Sequence, residues 1–125
     1  MAKTEKRRKS VRLPKQLARA VRAAADKQAT NVVVLDLEKA AAFTDFFLIC
    51  SGNNPRQIRA IADAIVEALG DEGVKPAYLE GYDRSEWVLL DYFDFVVHIF
   101  APETRMFYDL ERLWGNAERM EIPTG

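Results

Sequence analysis

Ser51-Gly52-Asn53-Asn54-Pro55-Arg56-Gln57 stands between a Phe- and Ile-rich run and a stretch whose apolar residues recur at helical spacing. Asn54 suits a helix N-cap, because its side-chain oxygen accepts a backbone N–H that the first turn leaves unpaired. Pro55 suits the first helical position, where no N–H is needed. Gln57 can fold back on the backbone as in a capping box. Residues 45–51 are therefore expected to end as a strand where the following segment begins as a helix. In that helix Ile58, Ile61, Ala62, Ile65 and Leu69 share one side, and Arg59, Asp63 and Glu67 lie outside. Gly73 and Pro76 end it.

Upstream, residues 32–37 (Val-Val-Val-Leu-Asp-Leu) are β-branched and apolar on both faces, as in a central or nearly central strand. A first helix is expected from Pro14, with Leu17, Val21, Ala24 and Ala25 as a narrow apolar stripe, until Thr30 and Asn31 break the pattern. Downstream, strands are expected at residues 77–81, 87–91 and 95–100, with Tyr92-Phe93-Asp94 as the tight turn between the last two. A final helix begins near Pro102 or Glu103, shows Met106, Phe107, Leu110, Leu113 and Trp114 as its apolar face, and closes at Gly115. The strand–helix–strand crossover after Ser51 favours a parallel pair, while the hairpin at residues 92–94 must be antiparallel. The expected class is α/β (α+β): one mixed five-stranded sheet flanked by helices. Residues 1–11 are expected to form a disordered basic tail, and residues 12–125 a single domain.

The chain has 125 residues, 49% apolar and 30% charged, the make-up of one soluble globular domain. No apolar run approaches the ~20 residues of a membrane span, and no secretory leader is visible. Cys50 is the only cysteine, which excludes an intramolecular disulfide and a thiolate zinc cluster. A reducing, cytoplasmic setting is expected. The net charge of −1 hides a split. Residues 1–22 carry nine Lys/Arg against one acid, a balance of +8, and the rest carries nine against eighteen, a balance of −9. Affinity for phosphate comes from Lys/Arg, so the acidic body suits a basic protein better than a nucleic acid. The run Lys6-Arg7-Arg8-Lys9 leaves two readings, a solvated tail or a weak RNA contact.

Catalytic patterns are thin. Ser51-Gly52 opens like a phosphate-binding turn, but one glycine is no Gly-rich loop, no Gly-Lys-Ser/Thr follows, and Pro55 removes a donor. Asp91 and Asp94 are three apart across a turn, where Asp serves backbone hydrogen bonds; a two-metal centre favours acids at i and i+2 on a strand. His98 is the only histidine, so zinc is not expected, and a core histidine with both ring nitrogens satisfied is. A Ser51–His98–Asp91 triad has no nucleophile-elbow motif behind it. Cys50 is expected to be an inert core thiol. No cofactor, metal or catalytic residue is expected.

The aromatic residues carry more. Trp87, Leu89 and Asp91 fall on one face of a strand, and Val88, Leu90 and Tyr92 on the other. Phe107, Tyr108 and Trp114 follow on the last helix, with Phe107 and Trp114 assigned to the core. For Trp87, burial and exposure at an interface both stand; an aromatic anchor in a charged rim is how a protein interface looks.

From Val34 to Trp114 the chain resembles the Iojap-like ribosomal silencing factors. The matching pieces are Val34-Leu35-Asp36-Leu37, Thr44-Asp45-Phe46-Phe47, Cys50-Ser51-Gly52-Asn53 with Arg56-Gln57, and Ile61-Ala62-Asp63. They continue with Glu80-Gly81, Trp87-Val88-Leu89-Leu90-Asp91-Tyr92, Asp94 with Val97-His98-Ile99-Phe100, and Tyr108-Asp109-Leu110-Glu111-Arg112-Leu113-Trp114. The resemblance implies a fold similar to nucleotidyltransferases without the catalytic acids. It implies a translation repressor that binds protein fourteen of the large ribosomal subunit and blocks its association with the small subunit, or that assists large-subunit assembly in organelles. It assigns partner binding to Trp87, Leu90, Asp91, Tyr92 and Tyr108. Residues 1–22, longer and more basic than the shared core needs, leave room for a ribosomal RNA contact, and a homodimer of the free protein is carried as a further state. Two alternatives remain. One is a nucleotidyltransferase-like enzyme acting on a nucleotide or tRNA, which requires two carboxylates converging on Mg²⁺ near Ser51-Gly52. The other is an interaction module for a non-ribosomal partner.

Overall fold

The computed structural model describes residues 13–40 and 42–123; the expected tail, residues 1–11, lies outside them. In chain order the elements are α1 (Lys15–Asp26), β1 (Thr30–Asp36), a 3-10 turn (Glu38–Ala40) and β2 (Phe46–Ser51), then α2 (Pro55–Gly70), β3 (Tyr78–Glu80), β4 (Trp87–Asp91) and β5 (Phe95–Phe100). The chain then forms α3 (Pro102–Tyr108), α4 (Leu110–Leu113) and β6 (Glu118–Glu121).

The start of α2 follows from its side chains. Asn54 Oδ1 accepts the Gln57 N–H at 2.8 Å, and Gln57 Oε1 accepts the Asn53 N–H at 2.6 Å. The amide of Gln57 also donates to the carbonyls of Lys27 and Gln28, tying α2 to the end of α1. A Cβ on Gly52 would stand 2.9 Å from Ile58 Cγ1 and 3.2 Å from the Ile58 backbone nitrogen, so glycine lets the helix start close against the strand end.

One mixed sheet results, in the order β3-β4-β5-β2-β1-β6. The pair β2/β5 is parallel, with Phe46 beside Phe95 and Ser51 beside Phe100, and the remaining pairs are antiparallel. The sheet has six strands, not the expected five. The sixth escapes a reading of apolar pattern because Glu118-Arg119-Met120-Glu121 carries three charges, as an edge strand tolerates. It pairs with β1 and makes that strand internal.

Two cores sit on the two faces. On one, α1 and α2 press Leu17, Ala20, Ala24, Ile58, Ile61, Ile65 and Leu69 against Val32, Val34, Leu48, Cys50, Val88, Leu90, Val97 and Ile99. Each Val, Leu and Ile among them contributes roughly 1.5–3 kcal/mol by leaving water. On the other face, Val33, Leu35, Leu37, Phe47, Ile49, Val96 and Phe100 are buried as well, beneath the half-buried Trp87, Leu89, Leu110, Trp114 and Ala117.

The last helix also differs from expectation. It breaks at Asp109, whose φ of 49° and ψ of 54° are left-handed, a conformation Asp tolerates better than most residues. A continuous helix would set Arg105 and Glu111 roughly 120° apart around its axis. With the break, the Arg105 guanidinium donates to both Glu111 carboxylate oxygens, at 3.2 and 2.8 Å. It also donates to the Asn31 carbonyl at 2.7 Å and to Ser51 Oγ at 2.9 Å. The helix is thus anchored to the sheet by a cation, and its apolar side turns outward. Phe107 is 79% exposed, and Met106 and Leu113 are also exposed, so the core role expected for Phe107 is corrected. Trp114 does pack against the second core.

Candidate partner-binding face

The face of the sheet away from α1 and α2 carries a continuous band of rings, buried at its centre. Phe43, exposed, lies 6.1 Å from Phe47 between centroids; Phe47 lies 4.5 Å from His98 and 6.0 Å from Trp114. Trp87 lies 4.9 Å from Phe100 and 4.7 Å from Tyr108, and Tyr108 meets Phe107 edge-on at 5.0 Å. Tyr78 pairs with Asp91 across β3 and β4, so this exposed aromatic joins the same side. The band runs from Phe43 to Phe107 and is wet at both ends, an apolar strip of the kind that marks binding surfaces.

Alternation along β4 sorts the expected site residues. Trp87, Leu89 and Asp91 are half-buried on the ring-bearing face, while Val88 and Leu90 are buried under the helices. Leu90 is 0% and Tyr92 6% exposed. Tyr92 stacks on Phe95 at 5.1 Å within the helix-side core. The structure therefore brings Trp87, Asp91 and Tyr108 to one side and sets Leu90 and Tyr92 behind the sheet. Tyr108, 50% exposed, rests on Trp87 from the end of α3. Phe43, Tyr78 and Met106 were not singled out as surface residues from the sequence. Phe43 follows Ala-rich chain and Tyr78 sits on a three-residue edge strand, so neither lies in a pattern long enough to assign a face.

The polar groups near the band have structural partners. Trp87 Nε1–H donates to His98 Nδ1 at 3.1 Å. Among the described residues His98 Nε2 is buried without a hydrogen-bond partner, so only one of its two nitrogens is satisfied there, against expectation. Burial pushes the His98 pKa down to about 3, which keeps the ring neutral. Asp91 Oδ1 accepts the Phe93 N–H at 2.9 Å and closes the hairpin turn, where Phe93 has a positive φ of 71°. Ser51 Oγ receives Arg105, so Ser51, His98 and Asp91 each hold a different partner. Burial pushes the Cys50 thiol up to about 12, far from a reactive thiolate. Among the described residues no cluster of three or more His, Cys, Asp or Glu is placed to hold a metal ion, and no helix is long and apolar enough to cross a membrane.

Several acids border the band along β4: Glu86, which pairs with Arg84 at 3.8 Å, precedes Trp87, Glu80 pairs with Leu89 across the β3–β4 ladder, and Asp91 ends the strand. Opposite them, Arg105, Arg119 and Glu111 form one network, with Arg119 Nη2 at 3.5 Å from Glu111, and the arginines hold the Glu111 carboxyl below the usual glutamate range.

A mixed sheet with α1 and α2 on one face and an aromatic band on the other defines an α+β chain whose structural neighbours are specific. A crystal structure of a protein from Bacillus halodurans matches with a TM-score of 0.74 and 42% identity, over 85% of this chain and 96% of that one. A second, from Chromobacterium violaceum, matches with a TM-score of 0.78 and 30% identity, over 88% and 92%. Residues 10–124 match the family model described as ribosomal silencing factor during starvation. The ribosomal silencing factor RsfS of Halalkalibacterium halodurans is 43% identical over 103 residues, 82% of this chain and 88% of that protein. The chloroplastic protein Iojap of Zea mays is 35% identical over 102 residues, which span 82% of this chain and 44% of that longer protein. The chain belongs to the ribosomal silencing factor family.

Proposed function

We propose that this chain binds the large ribosomal subunit through its protein fourteen and thereby blocks joining of the small subunit, lowering translation. It acts by occupying a surface and not by catalysis. Family membership over residues 10–124 supports the ribosomal setting. The observation that carries the choice of surface is the contact of the half-exposed Tyr108 with Trp87 at 4.7 Å between ring centroids, with Asp91 further along the same face of β4. Paired aromatics are typical interface anchors. The acids along β4 complement a basic partner and speed its approach. Leu90 and Tyr92 contribute from behind, by holding β4 in place.

The basic start of the chain, Lys6-Arg7-Arg8-Lys9, adds a weak contact with ribosomal RNA. The same aromatic face gives the free protein a surface for a homodimer, which competes with subunit binding. Co-sedimentation with purified large subunits, followed by a subunit-joining assay with small subunits added, tests the proposal. Binding to the large subunit alone with joining suppressed supports it; binding without effect on joining contradicts it. Removal of residues 1–11 is expected to weaken binding mainly at low salt, where charge attraction is least screened.

A further inference from the structure

His98 sits at the middle of β5, paired in register with Leu89, while Trp87 pairs with Phe100. The indole reaches diagonally across the ladder to place Nε1–H 3.1 Å from His98 Nδ1. For Nδ1 to accept, the ring must be neutral with its proton on Nε2. That Nε2 has no partner, and the ring is enclosed between the edge of Phe47 at 4.5 Å and Phe100 at 6.1 Å. A buried N–H without an acceptor costs free energy. Leucine would fill such a place without the cost, so packing alone does not account for a histidine here. The feature leucine lacks is the acceptor facing Trp87.

We propose that His98 is a positioning residue for the partner-binding face: by accepting the indole N–H it fixes Trp87 against Phe100 and presents it to Tyr108 and the partner. The inference rests on the proposed function for its consequence in binding, but the hydrogen bond itself is readable in the free protein. Without the bond, the indole loses its one oriented polar contact and samples other rotamers. The partner then meets an anchor that must be ordered on binding, at a cost in affinity.

The chain has two tryptophans, Trp87 and Trp114, so a ¹H–¹⁵N spectrum of the full chain carries two indole signals, assigned by Trp114→Phe. In the parent, the Trp87 indole proton is expected downfield and protected from exchange. His98→Leu and His98→Phe, both without an acceptor, should move that signal to the free-indole position. They should weaken large-subunit binding about tenfold, on the scale of one oriented hydrogen bond. His98→Asn, which sets an amide oxygen near the place of Nδ1, should restore both signal and binding. A parent signal at the free-indole position overturns the proposal before any variant is made. Acceptor-free variants that bind like the parent overturn it as well. Trp87→Phe separates the two levels. If it binds like the parent, the assignment of the face to the partner fails while the spectrum still judges the bond. If it loses binding and the acceptor-free His98 variants do not, the positioning role alone fails.

Discussion

Arg105 and Glu111 meet through two hydrogen bonds, 3.2 and 2.8 Å, across a break in the helix between them. The arginine also caps the Asn31 carbonyl at the end of a different layer. One cation thus fixes the direction in which α3 leaves the sheet, and with it the position of Tyr108 over Trp87.

Replacing Glu111 with Gln leaves Arg105 with its two sheet contacts but no counter-charge. Because both side chains are largely but not fully enclosed, the loss is expected at about 2–3 kcal/mol, somewhat below what breaking a fully buried pair costs. Urea unfolding measures it. The pH dependence has a fixed sign. The Glu111 pKa is lowered in the folded chain, chiefly by its hydrogen bond to Arg105. Its stabilisation is therefore complete above the ordinary glutamate range and is lost as pH falls through the lowered folded value. The parent and Glu111→Gln should converge in stability at acid pH. Equal stability of the two at neutral pH would show that the pair contributes nothing.

Gly52→Ala places a methyl group 2.9 Å from Ile58 Cγ1 and 3.3 Å from Ile61 Cδ1. The backbone of Ile58 is at 3.2 Å and cannot swing away. A destabilisation of about 1–3 kcal/mol is expected from overpacking, read from the same unfolding curves. A neutral result would show that α2 can slide along the sheet.

The start of α2 was legible in the sequence because its chemistry is local: Asn54, Pro55 and Gln57 supply their own cap within four residues. Burial of β1 on both faces was legible from residues 32–37, of which Val32, Val33, Val34 and Leu35 are buried in the strand. Alternation likewise separated Trp87 from Leu90 and Tyr92, but it is silent on which face helices will cover. That depends on how α1 and α2 pack, and it decides that Trp87 is the accessible one. The left-handed Asp109 was hidden for another reason. Its conformation is selected by Arg105 contacts with residues 54 and 74 positions away in the chain, so periodicity read through residue 109 turned Phe107 and Leu113 the wrong way. The β6 strand is held by pairing with β1 and not by an apolar pattern of its own.

The neutral state of His98 carries a pH signature. Its pKa falls from 6.5 to about 3 on burial. The unfolded chain therefore takes up a proton below pH 6.5 that the folded chain refuses, and stability declines as pH drops from about 6.5 toward 3. His98→Asn should flatten that part of the curve. An unchanged slope in the variant would assign the acid sensitivity to the carboxylates.

Tyr92 Oη is buried without a hydrogen-bond partner. Removing it by Tyr92→Phe deletes an unsatisfied group and keeps the stack on Phe95, so the variant should melt at or slightly above the parent temperature. It should also bind large subunits with parent affinity, since the ring is buried in the helix-side core. Weakened binding with unchanged melting would return Tyr92 to the contact surface.

The most direct measurement is the affinity of large subunits for a chain with Phe107→Ala and Tyr108→Ala, beside its melting curve. Phe107 is largely and Tyr108 half solvent-exposed on the proposed face, so the fold should be kept and the melting temperature little changed. Loss of the exposed half of the aromatic anchor should cost about 2 kcal/mol or more in binding, about thirtyfold in affinity. Parent-strength binding by this variant, with an intact fold, would contradict the assignment of the aromatic band to the ribosome.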